Sequence, residues 1–211
     1  MDFSKNNQVI YNEKMLRDKC ESVSSLDEGQ EISRHLFKIL SENKNGIGLS
    51  AIQVGIKKNV FVVNVNEPLY FVNAKIIEEK FPIISDEGCL SFPNKYIKTK
   101  RFAQIKVTAD NINGAITYGY HGDLETDYKS NPNLKLNNKD LLESIAIQHE
   151  IDHQQGILMY DRKFKQPDYK VDKIGRNELV NIISNLGEEK VLKYKKALPL
   201  LDSGLWRFKE I

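Results

Sequence analysis

The stretch IAIQHEIDHQQG, residues 145–156, sets His149 and His153 four residues apart, with Glu150 directly after the first. On a helix the two imidazoles stand about 40° apart around the axis, close enough to grip one metal ion. A carboxylate beside them can move a proton at a water that the ion activates. Leu142, Ile145 and His149 follow i, i+3, i+7 spacing, so the helix is expected to turn an apolar face inward and to end it in imidazoles. Two histidines do not close a catalytic site, and a third ligand has to come from elsewhere.

Protease helices of this kind usually find that ligand downstream, in a glutamate or a histidine. No histidine follows His153, and Glu178, Glu188, Glu189 and Glu210 all lie in a C-terminal stretch of different character. Upstream, Cys89 in DEGCLS offers a thiolate, a good ligand for a borderline-soft ion, and Gly88 beside it permits a sharp backbone turn. An inert buried thiol is the competing reading of a lone cysteine. A metallopeptidase with a downstream ligand stays open on these grounds, without a convincing residue to supply it.

Several elements must position these groups. SSLDEGQEISRHLFKILSEN (24–43) reads as a helix, with Ser25 and Glu28 at capping-box spacing and Ile32, Leu36, Ile39 and Leu40 as its apolar stripe. VFVVNVN (60–66) and YFVNAKIIE (70–78) read as strands, and FPIISDEGCLSFPNK (81–95) as a loop bracketed by prolines. IKVTAD, NING and AITYGYH (105–121) predict a hairpin, and 121–138 a polar insertion. The histidine-bearing helix is expected to start near residue 138 and to stop at Gly156. Beyond Phe164, a polar linker leads to LVNIIS, KVLKYK and LWRFKEI, read as short strands with a turn at Gly187. Such an appendage is too small to stand without docking on the main domain.

Hydrophobic residues make up 40% and charged residues 28% of the 211, ordinary values that allow a sizeable core. A net charge of +2 gives no case for a nucleic-acid surface. Two cysteines, Cys20 and Cys89, cannot build a disulfide framework, which fits a reducing compartment. MDFSKNNQVIYNEK shows neither the apolar core of a signal peptide nor the Arg-rich pattern of a transit peptide. No apolar run approaches the ~20 residues of a membrane span. A cytoplasmic protein without a membrane partner is the expectation.

GIGLSAIQ (46–53), EGCLS (87–91) and QHEIDH (148–153) resemble, in order and spacing, the three signature motifs of the peptide deformylases, over about residues 8–164. The resemblance implies an α+β fold with strands packed around the helix that carries the histidines. It implies a catalytic domain over 1–164, from which the linker and small β-rich extension over 165–211 are a departure, of unknown role. The implied reaction removes the formyl group from N-formylmethionine at the start of nascent chains and releases formate. Cys89, His149 and His153 are then the ligands of one divalent ion. The resemblance implies ferrous iron (Fe2+), with zinc (Zn2+) or nickel (Ni2+) able to occupy the site.

By the same resemblance Glu150 acts as general base and acid, while Gln53 and the Leu90 backbone N–H stabilise the oxyanion. Gly46, Ile47, Gly48, Glu87 and Gly88 are expected along the substrate main chain, and Leu142, Ile145 and Ala146 around the methionine side chain. Asp152 is expected to pair with Arg101 as an outer brace. N-formylmethionyl peptides are the implied partners, with the ribosome a candidate for another. Intact Cys89, Glu150, Gln53 and histidines argue against a catalytically dead binding module of the same fold. Tyr96 is a departure, standing where many family members carry an arginine that contacts the peptide. Lys95 and Lys98 lie near it, but neither offers the planar fork of arginine.

Overall fold

Ser25 caps α2 (Leu26–Glu42) by accepting the Glu28 backbone N–H at 3.2 Å, as its spacing predicts. Glu28 turns its carboxylate to the Ser24 hydroxyl instead, 3.3 Å away, so one half of the expected capping box forms. Ile32, Leu36, Ile39 and Leu40 are buried, the stripe that the helical period requires. A short helix, α1 (Glu13–Leu16), precedes it. This computed structural model describes residues 3, 5–122, 139–164, 174–184, 187–202 and 206–209. The expected insertion lies, from 123 to 138, outside the described residues, as does 165–173 of the expected linker.

Two antiparallel three-stranded sheets make up the main body. The first runs in the order β1 (Gly48–Ser50), β2 (Val60–Asn64), β3 (Pro68–Val72). The second joins β4 (Lys75–Cys89), β5 (Phe92–Thr108) and β6 (Ile116–Gly119). The stretch 70–78 is thus not one strand: Asn73, at φ +53, breaks it, and its side chain binds both the N–H and the C=O of Val23. The expected hairpin over 105–121 is present, with Val107 paired to Ile116.

The largest departure is at 81–95, expected as a loop. It forms the ends of the long β4–β5 hairpin, closed by the two-residue turn Leu90–Ser91 with Cys89 paired to Phe92. Pro82 is tolerated because β4 is an edge strand, where one missing donor need not break a ladder. Pro93, Asn94 and Lys95 form an extra excursion in β5 before Tyr96 pairs with Gly88, and Asn94 takes φ +61 there.

α3 (Lys139–Gln154) carries the histidines, and every residue from Glu143 to Gln154 is buried. It packs against strands of both sheets. Ala146, Ile147 and Ile151 share one apolar cluster with Phe61, Val63 and Phe71 of the first sheet and Ile105, Val107 and Tyr118 of the second. The rings of Phe61 and Phe71 stack at 4.6 Å, a geometry that adds about 0.5–1.5 kcal/mol beyond burial. The helix stops as expected at Gly156, whose φ of +72 lets the Ile157 N–H return to the Asp152 C=O at 2.9 Å.

The C-terminal stretch forms a third sheet in the order β8 (Glu189–Lys193), β7 (Leu179–Ser184), β9 (Trp206–Phe208). The expected strand 190–195 ends early, and an unexpected helix, α4 (Tyr194–Asp202), follows it. Pro199 inside that helix hides it from a sequence reading, since proline normally breaks helices. Val180, Ile182, Tyr194, Ala197 and Trp206 join Ile83, Ala103, Leu141 and Ile145 in one buried cluster, so the extension docks on the main body. Among the described residues, no helix is long and apolar enough to cross a membrane.

Candidate metal centre

The hairpin tip and α3 together bring three donors to one point. Cys89 Sγ lies 3.3 Å from His153 Nε2, and the donor atoms of Cys89, His149 and His153 all fall within 4.8 Å of one another. A tetrahedral ion with bonds of about 2.0–2.3 Å holds such donors roughly 3.4–3.6 Å apart, so one sulfur and two nitrogens fit a single borderline-soft cation. No other such group occurs among the described residues.

Around these donors stands a chain of buried ions. His149 Nδ1 lies 2.9 Å from Glu87 Oε2, which leaves Nε2 free to face an ion. Arg101 grips Glu87 with Nε at 2.5 Å and Nη2 at 2.9 Å, and the Thr99 hydroxyl also donates to that carboxylate. Arg101 Nη1 lies 2.6 Å from Asp152 Oδ2, the pairing expected from sequence. Burial opposes ionisation of Glu87, yet the bonds from His149 and Arg101 outweigh it and hold its carboxyl well below the usual range. Considering protein groups alone, burial likewise opposes a charge on His149, but Cys89 and Glu87 overcome it and raise that imidazole's pKa. Burial and the charges of His149 and Arg101 lower that of His153.

Glu150 directly follows His149 on α3 and is 4% exposed, with Oε2 buried and unpartnered among the described residues and the Ser50 backbone against its carboxylate. Protein groups alone push its pKa up to about 7, chiefly through burial, with the charge of His149 opposing. Gly48 makes room for it: a Cβ there would lie 2.5 Å from Glu150 Oε1. Gln53 sits in a 3₁₀ turn (Ala51–Val54) after β1, where its Oε1 accepts the Ser50 N–H at 2.8 Å. That bond fixes which end of the amide faces the centre. Nε2 points at Ser91 Oγ, 3.2 Å away, and at Cys89 Sγ, 3.5 Å away.

The residues expected along the substrate divide. Gly46, Ile47 and Gly48 lead into and begin β1, near Leu90 and Glu150. The Glu87 side chain is buried against Arg101, Thr99 and His149, so its carboxylate orients a candidate metal donor and only its backbone is left to meet a peptide. Gly88 makes no positive-φ turn; its missing side chain leaves space for the Tyr96 ring, 2.8 Å from where a Cβ would stand. Tyr96 itself is 76% exposed. Leu142, Ile145 and Ala146 do not share one environment: Ile145 and Ala146 are buried in different clusters, while Leu142 is 42% exposed. Leu141, not Leu142, is the inward-facing residue of that turn.

Sequence reading missed three contributors. Ser91 and Thr99 touch Gln53 and Glu87, and Arg162 forks onto Asp152 with Nη2 at 2.6 Å and Nε at 3.0 Å. Only Ser91 lies inside a signature stretch, EGCLS; the others sit where no spacing rule points.

Comparison with known proteins bears on the same residues. The polypeptide deformylase family model matches residues 6–170. A peptide deformylase of Pseudoalteromonas translucida is 35% identical over 153 residues, covering 69% of this chain and 79% of that one. Among solved structures, Arabidopsis thaliana peptide deformylase 1B, in complex with an inhibitor, superposes with a TM-score of 0.60 at 27% identity over 75% of this chain and 82% of that one. A peptide deformylase from Synechococcus elongatus in complex with actinonin gives 0.59 at 27% identity, over 75% and 79%. With a family match over most of its length and relatives this similar, the chain belongs to the polypeptide deformylase family.

Proposed function

We propose that this chain is a metal-dependent peptide deformylase acting on N-formylmethionyl peptides, with catalysis carried by residues 1–164. The observation that carries this reading is the convergence of Cys89, His149 and His153, with Glu150 directly after His149 and its Oε2 buried and unpartnered among the described residues. Cys89, His149 and His153 would hold the divalent ion, ferrous iron by family resemblance, with zinc or nickel as substitutes. When bound, such an ion acidifies water and polarises the formyl oxygen.

The chain's own groups do the rest. Glu150 takes the proton of the attacking water and delivers it to the leaving amine, a shuttle that suits a carboxyl whose pKa burial has raised. As the formyl carbon becomes tetrahedral, its oxygen gains charge. Gln53 Nε2–H and the Leu90 backbone N–H are the donors offered to it, and losing one such donor typically costs ~10²–10³ in rate. Glu87 and Asp152, through Arg101, keep the His149 ring oriented.

Protein purified anaerobically with iron should release formate from formyl-Met-Ala-Ser, and Glu150→Ala should abolish that release while leaving the metal bound. No formate from the iron-loaded protein, or full activity in Glu150→Ala, overturns the reading.

A further inference from the structure

We propose that Arg162 is a positioning residue for the metal centre, the outermost cation of a chain Arg162–Asp152–Arg101–Glu87–His149 that governs how firmly the ion is kept. The proposal rests on the reading of Cys89, His149 and His153 as ligands. Asp152 precedes the ligand His153 and accepts from two guanidiniums at once. Arg162 reaches both of its oxygens, and Arg101 Nη1 shares Oδ2 at 2.6 Å. The Asp152 side chain is 6% exposed and that of Arg101 3%, whereas Arg162 is 43% exposed at the protein's edge.

Charge explains why the second arginine is needed. Two buried carboxylates, Asp152 and Glu87, face one buried guanidinium, Arg101. Without Arg162, Asp152 keeps Arg101 as its one guanidinium partner, and Arg101 must serve two buried carboxylates at once, a geometry that leaves each less well paired. Arg101 would then be drawn toward an under-neutralised Asp152 and away from Glu87, slackening the hold of Glu87 on His149 Nδ1.

The turn bearing Arg162 is fastened on both sides, unlike a casual surface pair. Arg162 ends a 3₁₀ turn (Met159–Arg162) whose Asp161 accepts the Leu158 N–H at 2.8 Å. Arg17, just past α1, grips Asp161 at 2.7 Å. Beyond the turn, Lys163 bridges to Thr99, and the Phe164 N–H donates to the Lys98 C=O at 2.7 Å. The segment before Arg162 is thereby tied to the end of α1, and the segment after it to the strand that carries Arg101.

The test follows metal loss rather than turnover. Zinc-loaded wild type, Arg162→Met, Arg162→Lys, Asp152→Asn and the double variant Asp152→Asn/Arg162→Met are challenged with excess chelator, and zinc release is timed in protein that circular dichroism shows to be folded. Outer partners of metal ligands typically change affinity by ~10–100-fold. Release from Arg162→Met is expected to be faster by about that factor, with Arg162→Lys intermediate because it restores charge without the fork. In the Asp152→Asn background the Met substitution should add less than about twofold. A release rate for Arg162→Met within about twofold of wild type, or equal acceleration in both backgrounds, overturns the proposal. Wild-type protein that keeps no stoichiometric zinc fails the ligand reading itself, and the two failures are therefore distinct.

Discussion

Gly48→Ala isolates the placement of one carboxylate. The added Cβ would stand 2.5 Å from Glu150 Oε1 and 3.1 Å from its Cγ and Cδ. Ordinary van der Waals contact begins near 3.4 Å, so the oxygen must retreat by about 0.9 Å (3.4 − 2.5). The end of a side chain, not backbone, is what yields, and the fold should tolerate the change with a stability loss of about 1–2 kcal/mol. Catalysis should not tolerate it, because a 1 Å misplacement of a reacting group can cost ~10²-fold, about 2.7 kcal/mol of activation free energy. The assay is kcat for formate release, with metal content and thermal midpoint measured on the same preparation. Full metal occupancy, a small shift in Tm and a kcat lowered by about 10² are expected. If kcat stays within threefold of wild type, Glu150 does not carry the proton from that position.

Two further outcomes test other parts of the structure. Burial, aided by the charge of Asp18, pushes the Cys20 thiol up to about 11. At pH 8 about one molecule in a thousand then carries that thiolate. Iodoacetamide should label Cys20 slowly throughout and Cys89 only once a chelator has removed the ion; mass spectrometry showing rapid Cys89 alkylation of loaded protein would contradict its role as ligand. Trp206 is 3% exposed, with Lys190 Nζ 4.5 Å above its ring, in the cluster that joins the extension to Ile83, Leu141 and Ile145. Trp206→Ala should lower unfolding free energy by about 3–5 kcal/mol in denaturant titration, and a loss below 1 kcal/mol would argue against a docked extension.

Legibility from sequence followed periodicity. α2 showed its stripe and the Ser25 cap, α3 its Gly156 stop, and the histidine pair was plain from its spacing, whereas α3 is buried all round from Glu143 to Gln154 and its expected stripe misplaced Leu142. The strand ending at Cys89 was obscured because its inward positions Glu87 and Cys89 face the candidate metal centre rather than the apolar core. Without apolar alternation, the prolines and glycine spoke for a loop. α4 was hidden by Pro199, although Ala197, Leu198, Leu200 and Leu201 pack in the cluster beneath it. Arg162 bonds to Asp152 across a reversal of chain direction, which leaves no trace in local pattern. Leu142 and Leu141 are adjacent apolar residues, and only packing decided which one turns inward.

The β4–β5 hairpin constrains how this chain can vary over evolutionary time. Glu87 and Cys89 are two residues apart, and so are Thr99 and Arg101, with Ser85 paired to Thr99 and Ile83 to Arg101. All four side chains therefore depend on a single parity. Losing one residue from β4 would exchange odd positions for even and turn Gly88 or Leu90 toward the candidate metal centre, and losing one from β5 would send Arg101 to solvent. Insertions and deletions in these arms are tolerable only in pairs or where the three-residue excursion at 93–95 can absorb them. Length variation should accordingly be filtered out of this hairpin even where individual side chains drift.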